Sequence, residues 1–301
     1  MKYCISLFQS MNFLNFFRII PTSLIQITAK GIAAFLNTQK TSGMYWKTKV
    51  NIALCFPQFS EQQQVDFAKQ SVKTQCLNYA ESLKCWAMPT EWNIKQIKNV
   101  SGLDILTDAL ADPKGALIIT PHLGNWEIMN PWVHQYGTPT IMYKPIKNKT
   151  FENFVLSSRE RLNTTMVPTD ATGVKALFKN LKQGGFSVIL PDHVPDPSGG
   201  IIAPFFGINT LTSTLASKLA QKTQCRLISM TCIKTNDESG YDIYIEDAGH
   251  KYPNLYNKDI EVSTTTMNQV VEDLIKQFPE HYMWGYKRFR GSNETENLYQ
   301  K

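Results

Sequence analysis

The stretch GALIITPHLGNWEIMNPWVHQYG, residues 115–137, decides the fold class. It opens on a continuous apolar run at residues 116–119, between a glycine and a threonine-proline pair. Such a run is typical of a strand that is buried on both faces. A helix is predicted to follow over Glu127–Tyr136, in which Pro131 is tolerated only in the first turn. A buried strand that turns directly into a helix predicts the first half of a βαβ unit.

The same alternation continues toward the C-terminus. Further strands are predicted at Thr138–Tyr143, Phe186–Leu190, Arg226–Lys234 and Tyr241–Glu246, and helices at Phe151–Leu162, Ala171–Lys182, Ser213–Thr223 and Thr264–Phe278. Upstream, helices are predicted within residues 51–86, with Ser60 as an N-cap. This order predicts an α/β fold with a mainly parallel central sheet flanked by helices.

Composition excludes a disordered chain and a disulfide framework. Hydrophobic residues make up 43% of the 301 residues, which is enough for a sizeable core. The six cysteines show no C-x-x-C or zinc spacing, so reduced, mostly buried thiols are expected. The formal charge of +6 favours acidic partners, such as an anionic membrane, a phosphorylated substrate or an acidic protein.

The N-terminal segment, residues 1–36, is predicted to anchor the chain to a membrane, ahead of a catalytic domain at 37–290 and a polar tail at 291–301. Residues 3–17 are uncharged and rich in apolar side chains, but Arg18 interrupts them. Neither apolar run reaches the roughly 20 residues that span a bilayer. We therefore expect amphipathic helices on the cytoplasmic face, with Lys2, Arg18 and Lys30 at the headgroups. The alternative is an ordinary core helix.

Three predicted strands run into polar loops, and the carboxyl ends of parallel strands share one edge of a sheet. The first loop carries His122 and Glu127, which lie five positions apart across a turn. A carboxylate that hydrogen-bonds one imidazole nitrogen makes the other nitrogen a better base, suited to deprotonating an alcohol. We predict this role for the pair. The alternative is a histidine that ends a strand and a glutamate that caps a helix.

The other two loops add candidate binding residues. Lys144 follows the second strand, and Arg159 on the next helix is suited to phosphate but is also compatible with a surface ion pair with Glu160. Asp192 and His193 follow the third strand directly. A metal site built from these two residues and His122 is disfavoured by the spacing, and no metal or cofactor is expected.

These motifs together resemble the late acyltransferases of lipid A biosynthesis, the lauroyl and myristoyl transferases of Gram-negative bacteria. PHLGNWE at 121–127 is similar to the H-x-x-x-x-D/E motif of that family. Further blocks are similar in order along the chain: NIALCFP at 51–57, MYKP at 142–145, LPDHVPDPSGGIIAPFFG at 190–207 and PEHYMWGYKRFR at 279–290. The second of these carries Lys144 where the family has arginine, which keeps the charge but loses the bidentate fork.

The resemblance implies acyl transfer from an acyl-acyl carrier protein to the hydroxyl of a 3-hydroxyacyl chain on a Kdo-bearing lipid A precursor. It places the enzyme at the cytoplasmic face of the bacterial inner membrane, with no nucleic acid partner. It makes His122 the base and Glu127 its partner. Lys144, Arg159 and Asp192 would bind acceptor phosphate or the phosphopantetheine of the donor, and backbone N–H groups or Asn125 would stabilise the oxyanion.

Two other functions stay open from the residues. One is a glycerolipid or lysophospholipid acyltransferase with the same His and acid pair, and the other is a non-catalytic protein that binds anionic membranes. Two basic patches are candidate docking sites for the carrier protein or solvated faces: Lys175, Lys179 and Lys182, and Lys287, Arg288 and Arg290. Four aromatic side chains are candidates for an acyl groove: Trp126, Trp132, Phe205 and Phe206.

Overall fold

A computed structural model describes residues 16–146, 148–162, 164–291 and 298–299. Residues 1–15 of the predicted anchor, with Lys2 and Cys4, lie outside the described residues, as does most of the predicted tail. The helices are α1 (Thr22–Leu36), α2 (Gly43–Cys55), α3 (Glu61–Ala87), α4 (Thr90–Ile94), α5 (Leu103–Ala111), α6 (Trp126–Val133), α7 (Lys149–Glu160), α8 (Ala171–Lys182), α9 (Leu215–Thr223), α10 (Ala248–Lys251) and α11 (Ile260–Gln277). The strands are β1 (Ile97–Ser101), β2 (Ala116–Ile119), β3 (Thr140–Tyr143), β4 (Thr165–Pro168), β5 (Phe186–Ile189), β6 (Gly200–Phe205), β7 (Ile208–Ser213), β8 (Arg226–Lys234) and β9 (Tyr241–Glu246).

The central sheet has seven strands in the order β1-β9-β8-β2-β5-β3-β4. Every neighbouring pair is parallel except β8 and β9, which run antiparallel. The predicted α/β fold with a mainly parallel sheet is confirmed. Because β2, β3 and β5 are parallel, the residues that follow them lie at one edge of the sheet, as expected for a ligand site.

Strand β2 lies in the middle of the sheet, and its four residues are fully buried. Its side chains alternate between two hydrophobic layers. Leu117 and Ile119 belong to the layer that contains residues of α8, α9 and α11. Ala116 and Ile118 belong to the layer that contains residues of α5 and α6. Burial on both faces explains why this strand is a continuous apolar run in the sequence.

Two strands and a hairpin were not predicted. The edge strands β1 and β4 carry polar and exposed residues, so they lack the apolar run of a central strand. The segment after His193 is rich in proline and glycine, and it contains the antiparallel hairpin β6–β7. Its two-residue connection is Phe206-Gly207, and both residues have positive φ, as the hairpin twist requires.

Helix α6 ends at Val133, earlier than the predicted Tyr136, and a short 3-10 turn covers His134–Tyr136. Pro131 lies inside the helix, beyond the first turn in which it would be tolerated without a lost hydrogen bond. A proline there leaves the carbonyl four residues earlier without its usual donor. That carbonyl belongs to Glu127, and the Cys85 thiol donates to it at 3.1 Å. The thiol thus replaces the missing helical hydrogen bond.

Helix α1 packs on α3 through Ile25, Ala29 and Ala33. Its other face presents apolar side chains that are more than half exposed: Leu24, Ile27, Ile32 and Phe35. Within the described ranges, no helix combines the length and apolarity that crossing a membrane requires. The predicted amphipathic character of this segment is therefore present in α1, whereas its attachment to a membrane stays a prediction.

The C-terminal residues Leu298 and Tyr299 pack against the large hydrophobic layer. The Tyr299 hydroxyl donates to Asn51 of α2 and accepts from the backbone N–H of Phe289. This part of the predicted polar tail is therefore attached to the domain. The cysteines in the described part of the chain are free and buried, as expected: Cys55, Cys76, Cys85, Cys225 and Cys232.

Candidate active site

The loop that carries His122 is held by backbone hydrogen bonds to the segment 281–283. The His122 carbonyl accepts from Met283 at 3.0 Å, and the Gly124 N–H donates to His281 at 3.0 Å. Gly124 has a φ of +69°, and a Cβ atom there would lie 2.0 Å from the Cys232 carbonyl oxygen. Only glycine fits this close approach. Gly124 therefore determines the backbone conformation of the loop that carries His122.

Asp192, at the end of β5, holds the His122 side chain. Its Oδ1 atom lies 2.9 Å from His122 Nδ1, and its Oδ2 atom accepts the backbone N–H of His122 at 3.1 Å. Burial alone would raise the pKa of Asp192, but the neighbouring His122 outweighs it and leaves the pKa well below the usual range. The carboxylate is therefore charged, and it selects the tautomer in which Nδ1 carries the proton. Nε2 is left with its lone pair.

The hydrogen bond predicted between His122 and Glu127 was wrong, because Asp192 occupies Nδ1. Glu127 Oε1 accepts from the Arg159 guanidinium at 2.8 Å, and Oε2 accepts from Trp86 Nε1 at 2.7 Å. Glu127 lies in the first turn of α6, and its two donors belong to α3 and α7. The catalytic role of Glu127 stays a prediction. Among the described residues, Asp192 and not Glu127 hydrogen-bonds Nδ1 of His122.

His193 covers one face of the His122 ring. The two imidazoles are stacked with centroids 3.7 Å apart and an interplanar angle of 9°, and Tyr286 stacks on the far side of His193 at 4.2 Å. The Tyr286 hydroxyl accepts a hydrogen bond from the backbone N–H of Val194 at 3.1 Å. This bond holds Tyr286 in place at the end of the three stacked rings. The pKa of His193 is lowered to about 4, first by desolvation and then by the adjacent His122. A neutral imidazole therefore stacks on the candidate base.

The Asn125 side chain caps helix α6. Its side chain is buried, and Oδ1 accepts from the backbone N–H of Ile128, which caps α6, and from the Ser82 hydroxyl. Nδ2 donates to the Asn78 carbonyl and to the Tyr241 hydroxyl. These protein groups contact both ends of the amide, and the expectation that Asn125 binds substrate or stabilises an oxyanion stays a prediction.

Two cavities meet at the His122 ring. The first, the sheet-edge cavity, has a volume of about 660 Å³ and extends along the carboxyl ends of β3, β4 and β5. Apolar side chains dominate its lining, including Ile141, Met166, Leu177, Val188 and Leu215. The second, the α3 cavity, has a volume of about 450 Å³ and is lined by Tyr79, Leu83, Phe151, His281 and Met283 among others. Both cavities include Trp86, His122, Trp126 and Glu127 in their walls.

Two predicted cations lie at the sheet-edge cavity. Lys144 is exposed, and Arg159 is half-buried, pairs with Glu127 and lies over the Tyr143 ring at 5.5 Å. The ion pair that the structure shows for Arg159 is with Glu127, which is buried.

Two predicted groups of residues are corrected, a basic docking patch and the aromatic lining of an acyl groove. Arg288 is buried, with its guanidinium on the Leu211 carbonyl and the Thr212 hydroxyl, so it does not belong to a docking patch. Of the four aromatic candidates for an acyl groove, Trp126 alone lines either cavity, and Trp132, Phe205 and Phe206 pack in the hydrophobic layers.

Trp86 and Tyr286 were missed by the sequence analysis. Trp86 lies on α3, far from the polar loops in sequence, and nothing in its local pattern distinguishes it from a core aromatic. Tyr286 lies within the C-terminal block at 279–290, so that block was the available signal.

In the described part of the chain, no group of three or more His, Cys, Asp or Glu side chains is arranged to hold a metal ion.

This chain is similar to proteins of one bacterial enzyme family. Residues 2–291 match the family described as bacterial lipid A biosynthesis acyltransferase. The lipid A biosynthesis lauroyltransferase of Escherichia coli K12 is 27% identical over 244 residues, covering 80% of this chain and 77% of that protein. The palmitoleoyltransferase of the same organism is 24% identical over 241 residues, with 80% and 76% covered. A lipid A biosynthesis acyltransferase of Haemophilus influenzae is 26% identical over 257 residues, with 84% and 78% covered.

Proposed function

This chain belongs to the bacterial lipid A biosynthesis acyltransferases, and from that membership we propose that it transfers an acyl chain from acyl carrier protein to a hydroxyl on a Kdo-bearing lipid A precursor. The acceptor hydroxyl is that of a 3-hydroxyacyl chain. His122 is the general base, and Asp192 fixes its tautomer. Glu127 and Arg159 form a charged pair beside the reacting atoms.

The observation that carries this proposal is the meeting of the two cavities at His122. A reaction that joins two acyl chains needs two apolar sites on either side of one base. The sheet-edge cavity suits the donor chain, and the α3 cavity suits the acceptor chain, because Lys144 and Arg159 border the former and bind phosphate of the donor's phosphopantetheine.

In the proposed mechanism, His122 Nε2 accepts the proton of the acceptor hydroxyl as its oxygen attacks the thioester carbonyl. The resulting imidazolium is stabilised by the Asp192 carboxylate at 2.9 Å. The tetrahedral intermediate collapses with cleavage of the carbon–sulfur bond, and the imidazolium returns its proton to the departing thiolate. The first N–H groups of α6, which begins four residues after His122, are our candidates for the oxyanion donors.

We place the enzyme on the cytoplasmic face of the inner membrane, held by the exposed apolar face of α1. Leu24, Ile27 and Phe35 provide apolar area for insertion into the headgroup boundary, and Lys30 lies on the same helix. This position brings the active site to an acceptor that is itself a membrane lipid.

The test is an acylation assay with purified protein, acyl carrier protein thioesters and a lipid A precursor, read by mass spectrometry. The expected product is heavier by one acyl chain. His122→Ala should lower kcat by at least about 10³-fold while the far-UV circular dichroism spectrum is unchanged. Acylation of lysophospholipids alone would establish the glycerolipid alternative. Binding to anionic vesicles without any acylation would establish the non-catalytic alternative.

A further inference from the structure

The outer faces of α8 and α9 form a basic surface. Lys175, Lys179 and Lys182 are exposed along one side of α8, and Lys218 and Lys222 are exposed along one side of α9. The two helices pack side by side over the same hydrophobic layer. Neither helix contains an acidic residue, and the nearest carboxylate in sequence, Asp170, caps the N-terminus of α8. We call these five lysines the α8–α9 face.

The lysines of the α8–α9 face make no ion pair with any described residue. Several lysines elsewhere do pair, including Lys30 with Glu238, Lys149 with Glu152 and Lys251 with Glu246. Uncompensated charge of one sign over two adjacent helices attracts an acidic partner and steers its approach.

The α8–α9 face leads to the sheet-edge cavity. Leu177 of α8 and Leu215 of α9 line that cavity, so both helices form part of its wall. Each helix follows a segment at the site edge of the sheet and runs away from it, which places Lys175 and Lys218 nearest the site. The lysines on the outside and the cavity wall on the inside are therefore two sides of the same helices.

We propose that the α8–α9 face docks an acidic carrier protein and that the carrier's acyl group enters the sheet-edge cavity from there. This proposal rests on the proposed function, which supplies a carrier-bound thioester as donor. It adds the surface, the route and the cavity that the donor uses. Attraction by five unpaired lysines supplies the association rate and orientation, while the acyl chain supplies apolar contact.

An acidic protein fits the α8–α9 face better than a membrane does. Surfaces that lie on a bilayer combine basic residues with exposed large apolar side chains. In the described part of the chain, such side chains lie on α1 and at a few scattered positions, but on neither α8 nor α9. The apolar stripe and the lysine surface are thus on different helices, which suits separate tasks.

The experiment compares two double variants with a matched control. Lys175→Glu with Lys179→Glu and Lys218→Glu with Lys222→Glu reverse charge on the α8–α9 face. Lys95→Glu with Lys98→Glu makes the same charge change at exposed lysines on another part of the surface. Each protein is assayed with an acyl carrier protein thioester and with a pantetheine thioester of the same acyl chain.

We expect each α8–α9 double variant to raise KM for the carrier thioester roughly tenfold at low salt, with kcat little changed. Turnover of the pantetheine thioester should equal that of wild type, and the control should match wild type with both donors. Added salt should reduce the difference, because it screens exposed charges.

Equal KM values for all variants with the carrier thioester would overturn the docking proposal and leave the proposed acyl transfer standing. The same holds if the α8–α9 variants lose binding to phosphatidylglycerol vesicles instead, since the face would then contact membrane. If wild type acylates no acceptor from either donor, the proposed function itself fails. A uniform loss with both donors would indicate damage to the fold and would also contradict docking.

Discussion

His122 and Asp192 are joined twice, through Nδ1 and Oδ1 at 2.9 Å and through the backbone N–H and Oδ2 at 3.1 Å. The Asp192 carboxylate therefore holds both the His122 ring and the His122 backbone. This double contact links the end of β2 to the end of β5, which are neighbouring parallel strands. A base held in this way has one tautomer and one orientation before substrate arrives.

Replacing Asp192 by asparagine should lower kcat by about 10²–10⁴-fold, because the amide cannot stabilise the imidazolium or enforce the tautomer. The amide oxygen can still accept the His122 N–H, so the fold should persist. Steady-state kinetics and thermal unfolding measure the two effects. Glu127→Gln serves as the comparison: if Glu127→Gln lowers kcat by this factor while Asp192→Asn is fully active, Glu127 is the orienting acid.

Gly124→Ala should destabilise the protein by more than about 2 kcal/mol and abolish turnover, since the added Cβ collides with the Cys232 carbonyl at a positive φ. The matched control is Gly31→Ala in α1, where a Cβ meets nothing within 4 Å. That change should leave stability equal or raise it by about 0.5–1 kcal/mol. Urea unfolding checks both values. A Gly124→Ala protein as stable and active as wild type would show that this loop tolerates displacement.

Val188→Phe should shift the preferred donor to a chain shorter by about two methylene groups, because the larger side chain fills part of the sheet-edge cavity. Competition between thioesters of graded length, read by product mass, measures the shift. Met283→Phe makes a comparable change in the α3 cavity. It should raise KM for the acceptor and leave the donor length unchanged. The reverse pattern would exchange the two assignments.

Acid should destabilise the protein partly through His193. Its pKa is about 4, below its ordinary value of 6.5, so the unfolded chain takes up this proton first as the pH falls. The stability due to neutral His193 is complete above about pH 6.5 and is lost between there and about pH 4. His193→Gln should therefore lose less stability than wild type between pH 7 and pH 5, measured by urea midpoints.

His134 and His281 act in the same direction, because burial lowers the pKa of each. They contribute equally to wild type and to His193→Gln, so the difference between the two proteins isolates His193. Identical midpoints at every pH would contradict the lowered pKa of this residue.

The sequence predicted the sheet and its site edge well, because both depend on local patterns. Strand β2 is recognisable as a continuous apolar run, because it is buried on both faces. Strands β8 and β9 match their predicted bounds, Arg226–Lys234 and Tyr241–Glu246. The polar edge strand β1 has no such pattern. What makes it a strand is the hydrogen-bonding edge offered by β9, which the local sequence does not contain.

Within the site, the hydrogen-bond partner of His122 Nδ1 differs from the one that the sequence favoured. Glu127 is five positions from His122 and Asp192 is seventy away, so local spacing favoured Glu127. The sheet reverses that order, because β5 lies beside β2 and brings Asp192 to Nδ1. The side chain of Glu127 is drawn instead to Trp86 and Arg159, and neither partner is close to it in sequence. A contact between residues on two neighbouring strands can be predicted only when the order of the strands in the sheet is known.

The full burial of β2 also restricts how this part of the chain can change length. Successive side chains enter opposite layers, so one inserted residue before His122 would exchange the two faces or displace the imidazole from Asp192. The turn between β8 and β9 has no such constraint, because residues 235–240 connect two antiparallel strands and contribute no side chain to either hydrophobic layer. Insertions and deletions in descendants of this gene should therefore accumulate at that turn and be purged from the three residues between Ile119 and Leu123.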